Sequence, residues 1–289
     1  MNATTLMTAS TLAGRRVARM NGAGNKILVA DLRGGAVPPT PDEARAIHRA
    51  PGLDYDQMMV LTDPHEPGTL AYVLIYNNDG SLAGACGNGT RCVADRLARQ
   101  TGASRLTVQT ARGLIACERT GEWEYRVDMG APRLAAAEIP FAGEGDTAAA
   151  TIPDAEAFGL AGLVNMGNPH AVFFVADLDA INLEKEGPPL ETHPLFPEKA
   201  NISFAQILSP GRIRLKVWER GVGATLACGS AACATLVAAV RRGLSPREAV
   251  VELPGGALRM GWNDEDGHVL MTGPVEFERE IELTAAMFA

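Results

Sequence analysis

The 289-residue sequence contains no apolar run long enough to span a bilayer. Its first stretch, Met1 to Leu12, lacks the basic start and continuous apolar core of a secretory signal. These two absences predict a cytoplasmic protein with a loose N-terminal extension over residues 1–13. Positive charge is also short: 26 Lys and Arg stand against 34 Asp and Glu, for a net charge of −8. That balance argues against the basic footprint of nucleic-acid binding, so neither nucleic acid nor membrane is expected as a partner. Cysteine is scarce, and the five present cannot all pair. A chain of this length needs no disulfide framework, which favours a reducing compartment. No two cysteines have CxxC spacing and the histidines are not clustered, so no metal site is expected.

What remains is the composition of an ordinary folded protein, 46% hydrophobic and 21% charged, long enough for two domains. Short runs with β character recur: Tyr72–Tyr76, Leu106–Gln109, Tyr125–Asp128, Val172–Val175, Ile213–Trp218, Val250–Leu253 and Glu280–Leu283. Several alternate polar and apolar residues, as half-buried antiparallel strands do. Helices are few. The clearest run from Asn88 to Gln100 and from Ser230 to Arg242, each followed by a glycine, Gly102 or Gly243. The stretch Leu134–Ala150, rich in Ala, Gly and Pro, reads as a domain boundary.

Both helices follow a similar motif, Ala85-Cys86-Gly87-Asn88-Gly89 and Ala227-Cys228-Gly229-Ser230-Ala231. The cysteines are 142 residues apart (228 − 86 = 142), and two other polar landmarks keep nearly that offset. Asn25 and Asn168 each follow a glycine (168 − 25 = 143), and Gln57 and Asn201 stand at or beside strands (201 − 57 = 144). One matching pair could be chance; three in order predict a duplicated unit, with a site where its halves face each other. The expected halves are 14–133 with the C-terminal strand 276–289, carrying Cys86, and 134–275, carrying Cys228.

A thiol at a helix start lies in the positive end of the helix dipole, which favours thiolate. The same N–H groups seat a carboxylate, and the following glycine lets backbone approach a ligand closely. Two such sites around one gap could grip one α-carboxylate and place a thiol on each face of its α-carbon. Free cysteine is most often a small buried hydrophobe, but the repeat and the glycine-rich helix starts outweigh that reading here. Cys92, Cys117 and Cys233 fall inside helix or strand patterns and read as structural. Asn77-Asn78-Asp79-Gly80 and Glu219-Arg220-Gly221 each begin nine residues before a cysteine (86 − 77 = 9; 228 − 219 = 9), at strand ends. Asn168-Pro169-His170 precedes an apolar strand, and a histidine near a thiol can tune its charge. A noncatalytic amino-acid-binding module or a thiol redox sensor would use the same residues.

Taken together, the stretches Met20–Asn25, Leu53–Val60, Tyr76–Cys92, Met166–Val172, Asn201–Ala205 and Trp218–Ala234 resemble the diaminopimelate epimerases, a cofactor-independent family. The likeness runs in family order from about Arg16 to the C-terminus. It implies an α/β (α+β) fold of two pseudo-symmetric domains, each a mixed, mainly antiparallel sheet curled round a central helix, with the active site between them. It implies Cys86 and Cys228 as the acid/base pair, with His170 and Glu219 adjusting the thiols. Asn25, Gln57, Asn77, Asn168, Asn201, Glu219 and Arg220 would contact substrate, and backbone at Gly87, Asn88, Gly229 and Ser230 would hold the carboxylate. No cofactor or metal is implied; the partners are diaminopimelate and a second copy in a homodimer. Asn21, Lys26, Ala224 and Ala231 depart from residues common in the family. Proline racemase and hydroxyproline epimerase, of the same architecture, are the nearest rivals, though Arg220 and the asparagines favour a substrate with a second polar end.

Overall fold

The computed structural model describes residues 10–288. Most of the N-terminal extension expected over 1–13 therefore lies outside the described residues. Its end is anchored rather than loose: Leu12 is buried beside Val17, Leu28 and Leu283, and Gly14 N–H donates to Leu283 O at 2.7 Å. The chain divides into two compact units, Met1–Arg119 with Val275–Ala289, and Thr120–Pro274.

In the first unit β1 (Arg16–Gly22) and β2 (Asn25–Asp31) form a hairpin. Helix α1 (Pro41–Arg49) leads to β3 (Gln57–Thr62), parallel to β2 with Ile27 beside Gln57. The start of α1 is written in Thr-Pro-Asp-Glu: Thr40 Oγ1 accepts from the Glu43 N–H, and the Glu43 carboxylate accepts from the Thr40 N–H. Pro41 takes the first helical position, where no donor is needed. Strand β4 (Tyr72–Asn77) runs antiparallel to β3 and sets Asn77 opposite Gln57, and β5 (Leu82–Ala83) folds back on β4. Then come α2 (Gly87–Thr101), β6 (Arg105–Thr110) parallel to β4, and β7 (Gly113–Gly121) antiparallel to β6. The C-terminal strand Glu276–Glu282 returns to pair with β1.

The second unit repeats this plan from its first hairpin to the strand pair that follows its central helix. After β8 (Glu124–Asp128), β9 (Ala161–Asn165) and β10 (Pro169–Phe174) pair antiparallel. Helix α3 (Leu183–Glu191) leads to β11 (Asn201–Ser209), parallel to β10 with His170 beside Asn201. Strands β12 (Arg212–Glu219) and β13 (Gly223–Thr225) lead into α4 (Gly229–Arg241). Strands β14 (Glu248–Leu253), β15 (Gly256–Trp262) and β16 (Val269–Pro274) complete it, and the strand Glu276–Glu282 is β17. β14 is parallel to β12, as β6 is to β4. β8 pairs with β16, so the division falls before the Leu134–Ala150 stretch read as a boundary.

Each unit is thus a mixed sheet around one helix. α2 packs against β1, β2, β3 and β6, and α4 against β9, β10, β11, β12, β14, β15 and β16. The sequence of α4, Gly-Ser-Ala-Ala-Cys-Ala-Thr-Leu-Val-Ala-Ala-Val-Arg, is apolar on every side, and Gly229 and each residue from Ala231 to Ala239 are buried. That all-round apolarity is what an enclosed helix requires. The amphipathic α1 and α3 cover outer sheet faces; behind α3 the rings of Phe173 and Phe204 stack 5.5 Å apart.

The turn that ends β4 is held by α1. Gly80 has φ 84°, its N–H donates to Asn77 O at 3.0 Å, and a Cβ there would collide with Pro41 O. Gly80→Ala is expected to destabilise the protein by about 2 kcal/mol or more, combining a left-handed backbone with overpacking. A urea titration of the variant beside the wild type measures it.

Candidate active site

Four features of each half of the repeat meet at one end of its sheet because of where the elements start and stop. Gln57 opens β3 and Asn77 closes the antiparallel β4, so the register pairs them. Asn25 opens β2, parallel to β3, and Cys86 is the N-cap residue of α2. In the second unit Asn201 opens β11, Glu219 closes β12, Asn168 immediately precedes β10, and Cys228 is the N-cap of α4.

Cys86 is partly exposed, and its sulfur has two neighbours of opposite preference. The Gly89 N–H donates to Sγ at 3.2 Å, which favours sulfur carrying negative charge. The Cys86 thiol donates to Gln57 Oε1 at 3.6 Å, which requires the proton in place. The Thr90 N–H donates to Cys86 O at 2.9 Å. The first-turn amides of Gly87 and Asn88 therefore remain, as helix geometry dictates, for an acceptor from outside the helix. Around them, Asn25 Nδ2 donates to Asp56 Oδ2 at 3.2 Å, and Asp56 also accepts from the Lys26 N–H at 2.8 Å. Asn25 Oδ1 and Asn88 Oδ1 are buried acceptors with no hydrogen-bond partner among the described residues. Asn77 Nδ2 donates to Ser81 Oγ at 3.0 Å.

Cys228 is only 6% exposed, with Ser230 Oγ 3.5 Å from its sulfur. The Ala232 N–H donates to Cys228 O at 3.1 Å, and the amides of Gly229 and Ser230 hold the places of Gly87 and Asn88. Thr225 Oγ1 donates to Glu219 Oε1 at 2.6 Å. Asn201 is nearly spent internally: Nδ2 donates to Pro169 O at 2.8 Å, and Oδ1 accepts from the Arg220 N–H at 3.0 Å. Arg220 reaches back to Glu198 O at 2.8 Å. His170 is wholly buried, with Nε2 3.0 Å from Asn168 Oδ1.

Burial first, and then the Glu219 carboxylate, push the Cys228 thiol well above its ordinary value; Ser230 and the Ala231 amide pull weakly the other way. The expectation that a helix start favours thiolate is overturned at Cys228: desolvation and a neighbouring anion outweigh the helix end.

Three polar residues that hold these groups were not singled out from sequence: Asp56 fixes Asn25, Ser81 holds Asn77 and Thr225 holds Glu219. Asn21, noted from sequence only as a departure from the family, accepts on Oδ1 from the Gly24 N–H at 2.8 Å in the β1–β2 turn. The repeat carried a signal for two of them, since Ser81 and Thr225 keep its offset (225 − 81 = 144). Among the described residues no three His, Cys, Asp or Glu side chains are grouped as metal ligands, and no helix is long and apolar enough to cross a membrane.

A thiol raised in the folded state binds its proton more tightly there than in the unfolded chain. Its contribution to stability is intact below the ordinary thiol range, near pH 8.5, and is lost progressively as pH rises above it. Urea midpoints followed from about pH 7 to pH 10 are expected to fall more steeply for the wild type than for Cys228→Ser, which has no group titrating in that range.

The comparisons with known proteins agree with one another. The family model described as diaminopimelate epimerase matches residues 17–135 and 162–278. A diaminopimelate epimerase of Methylocella silvestris is 54% identical over 283 residues, covering 96% of this chain and 98% of that protein. One of Methylobacterium sp. strain 4-46 is 51% identical over 291 residues, covering 97% and 99%. Among solved structures, a hydroxyproline epimerase from Agrobacterium vitis with bound trans-4-hydroxy-L-proline superposes with a TM-score of 0.68. It is 15% identical and covers 93% of this chain and 92% of its own, a likeness of fold alone. A phenazine biosynthesis protein of the PhzF family from Bacillus anthracis gives 0.67 at 15% identity, covering 93% and 98%. The model matches both halves of the repeat and the identity runs through nearly the whole chain: this protein belongs to the diaminopimelate epimerase family.

Proposed function

We propose that the chain interconverts L,L- and meso-diaminopimelate by a two-thiol proton transfer, a step of lysine and peptidoglycan-precursor biosynthesis. The observation that carries this reading is the helix start used twice: a thiol as N-cap, followed by two amides left over by the helix. One cysteine, as thiolate, takes the α-proton. The electron pair left on carbon delocalises into the α-carboxylate, and the other cysteine gives its proton to the opposite face. The donor thiol ends as thiolate and the acceptor as thiol, so the reverse reaction starts with the roles exchanged.

The difficulty is the weak acidity of an amino-acid α-proton. A positioned acid–base pair typically supplies about 10²–10⁴-fold, so charge stabilisation must contribute too. The amides of Gly87, Asn88, Gly229 and Ser230 are preorganised donors for a carboxylate whose charge grows in the transition state. Asn25 Oδ1 and Asn88 Oδ1, buried acceptors, suit an ammonium group. Asn25, Gln57, Asn77, Asn168, Asn201, Glu219 and Arg220 form the substrate-contacting set, with Arg220 suited to a distal carboxylate. His170 and Glu219 adjust the thiols; Glu219 acts through its charge, consistent with the elevated Cys228 thiol. The reaction needs no cofactor or metal. The enzyme works in the cytoplasm as a homodimer.

The polar far end separates this substrate from proline or hydroxyproline, which bring no second ammonium and carboxylate pair. Turnover of L,L-diaminopimelate in D₂O is expected to place solvent deuterium at the α-carbon of the product, and proline is expected to give none. Cys86→Ala and Cys228→Ala should each lose epimerisation by about a thousandfold or more, in line with removal of an essential acid or base. Full activity in either variant sinks the two-thiol mechanism. Binding without exchange in fully reduced protein would point to a noncatalytic module instead.

A further inference from the structure

Glu191 is the last residue of α3, and it is only 7% exposed. Negative charge is disfavoured at a helix C-terminus, and a buried carboxylate is costly unless donors satisfy it. Its donors are specific. Oε2 accepts from Trp218 Nε1 at 2.8 Å, Oε1 accepts from the Gly221 N–H at 3.0 Å, and Lys199 Nζ lies 3.7 Å from Oε1. Trp218 is seated on the same helix so closely that a Cβ at Gly187 would stand 2.5 Å from the indole.

The two donors bracket Glu219 and Arg220. The Val222 N–H donates to Glu219 O at 3.0 Å and Gly221 has φ 76°, which closes a turn of the kind that needs a positive φ at its third residue. The Arg220 N–H is taken by Asn201. The N–H groups of Arg220, Gly221 and Val222 are thus occupied, and Glu191 holds one of them from outside the sheet. In the first unit α1 does the equivalent with opposite polarity: Arg45 donates to Asp79 O at 2.9 Å, in the turn that follows Asn77.

We propose that Glu191 is a positioning residue for the Cys228 half of the site, fixing the Trp218–Gly221 segment so that the Glu219 carboxylate stays against Thr225 and Cys228. The inference rests on Cys228 as a reacting group, but its test reads the thiol and not turnover. The groups that bear on that thiol are Glu219 from β12, Ser230 and the Ala231 amide from α4. Lys199 and Trp218 bear on Glu191.

Glu191→Gln keeps one carbonyl acceptor and must release at least one of its two N–H donors; Glu191→Ala releases both. With Glu219 no longer held in place, the Cys228 thiolate forms more easily. More thiolate speeds alkylation, and the weaker nucleophilicity of the more acidic thiol trims a tenfold gain in thiolate to about threefold in rate. Iodoacetamide alkylation of Cys228, followed on its peptide by mass spectrometry at neutral pH, is expected to quicken by about that factor in both Glu191 variants and in Glu219→Gln. Cys86 alkylation should not change. Adding Glu191→Gln to Glu219→Gln should give no further gain, because the two act through one carboxylate. An unchanged Cys228 rate in the Glu191 variants or in Glu219→Gln overturns the proposal. So does an equal rise at Cys86, or a full additional gain in the double variant, either of which marks general loosening. Wild-type protein that fails to turn over L,L-diaminopimelate would remove the proposed reaction while leaving this coupling intact.

Discussion

Two helices enclosed along their length, each with an open first turn, are the constraint on which the rest of this structure depends. An α-helix satisfies its own backbone everywhere except at its ends. When a sheet wraps it, as the second unit wraps α4, the unsatisfied amides become one of the few places where backbone polarity is available. The Cys86 cap absorbs part of it, taking the Gly89 amide on its sulfur, while the Thr90 and Ala232 amides begin the helices' own bonding on the two cysteine carbonyls. What is left is two N–H groups beside a thiol, fixed by the packing of the whole unit rather than by a loop.

Repetition of that device does not make the two copies alike. Cys86 is partly exposed and has a Gln57 carbonyl and a Gly89 N–H at its sulfur. Cys228 is buried beside Glu219. The difference traces to the last residue of the neighbouring strand, an amide in β4 and a carboxylate in β12. The supporting layer differs too: an arginine grips a carbonyl in one unit, and a glutamate grips an amide in the other.

Strands that alternate, such as Ile213–Trp218, were legible because one face meets the core and the other meets water. Strand β9 was not, since Ala161–Asn165 is buried throughout and carries no period of two. Helix α1 had a visible signal in Thr40-Pro41-Asp42-Glu43 but is only nine residues long. The signal of α3 is broken by Gly187, Pro188 and Pro189, residues that oppose a helix locally and are tolerated because the segment packs on β11 and β12. The division between units could not be placed from composition, because it depends on β8 pairing with β16, far away in the chain.

The sequence by itself determined the duplication, the two cysteines at helix starts and the polar residues that accompany them. These are local: a cap, a glycine, an offset kept through the chain. Only the tertiary structure decided what each thiol experiences. Burial and a carboxylate brought from β12 reverse, at Cys228, the preference that its helix start alone would impose. The partners of Glu191 and Asp56 were likewise set by folding. Whether an acidic side chain is solvated or clamps a turn depends on donors that lie 27 and 30 residues away for Glu191, and 31 for the Asn25 amide held by Asp56. No local pattern encodes those distances; strand register and helix packing do.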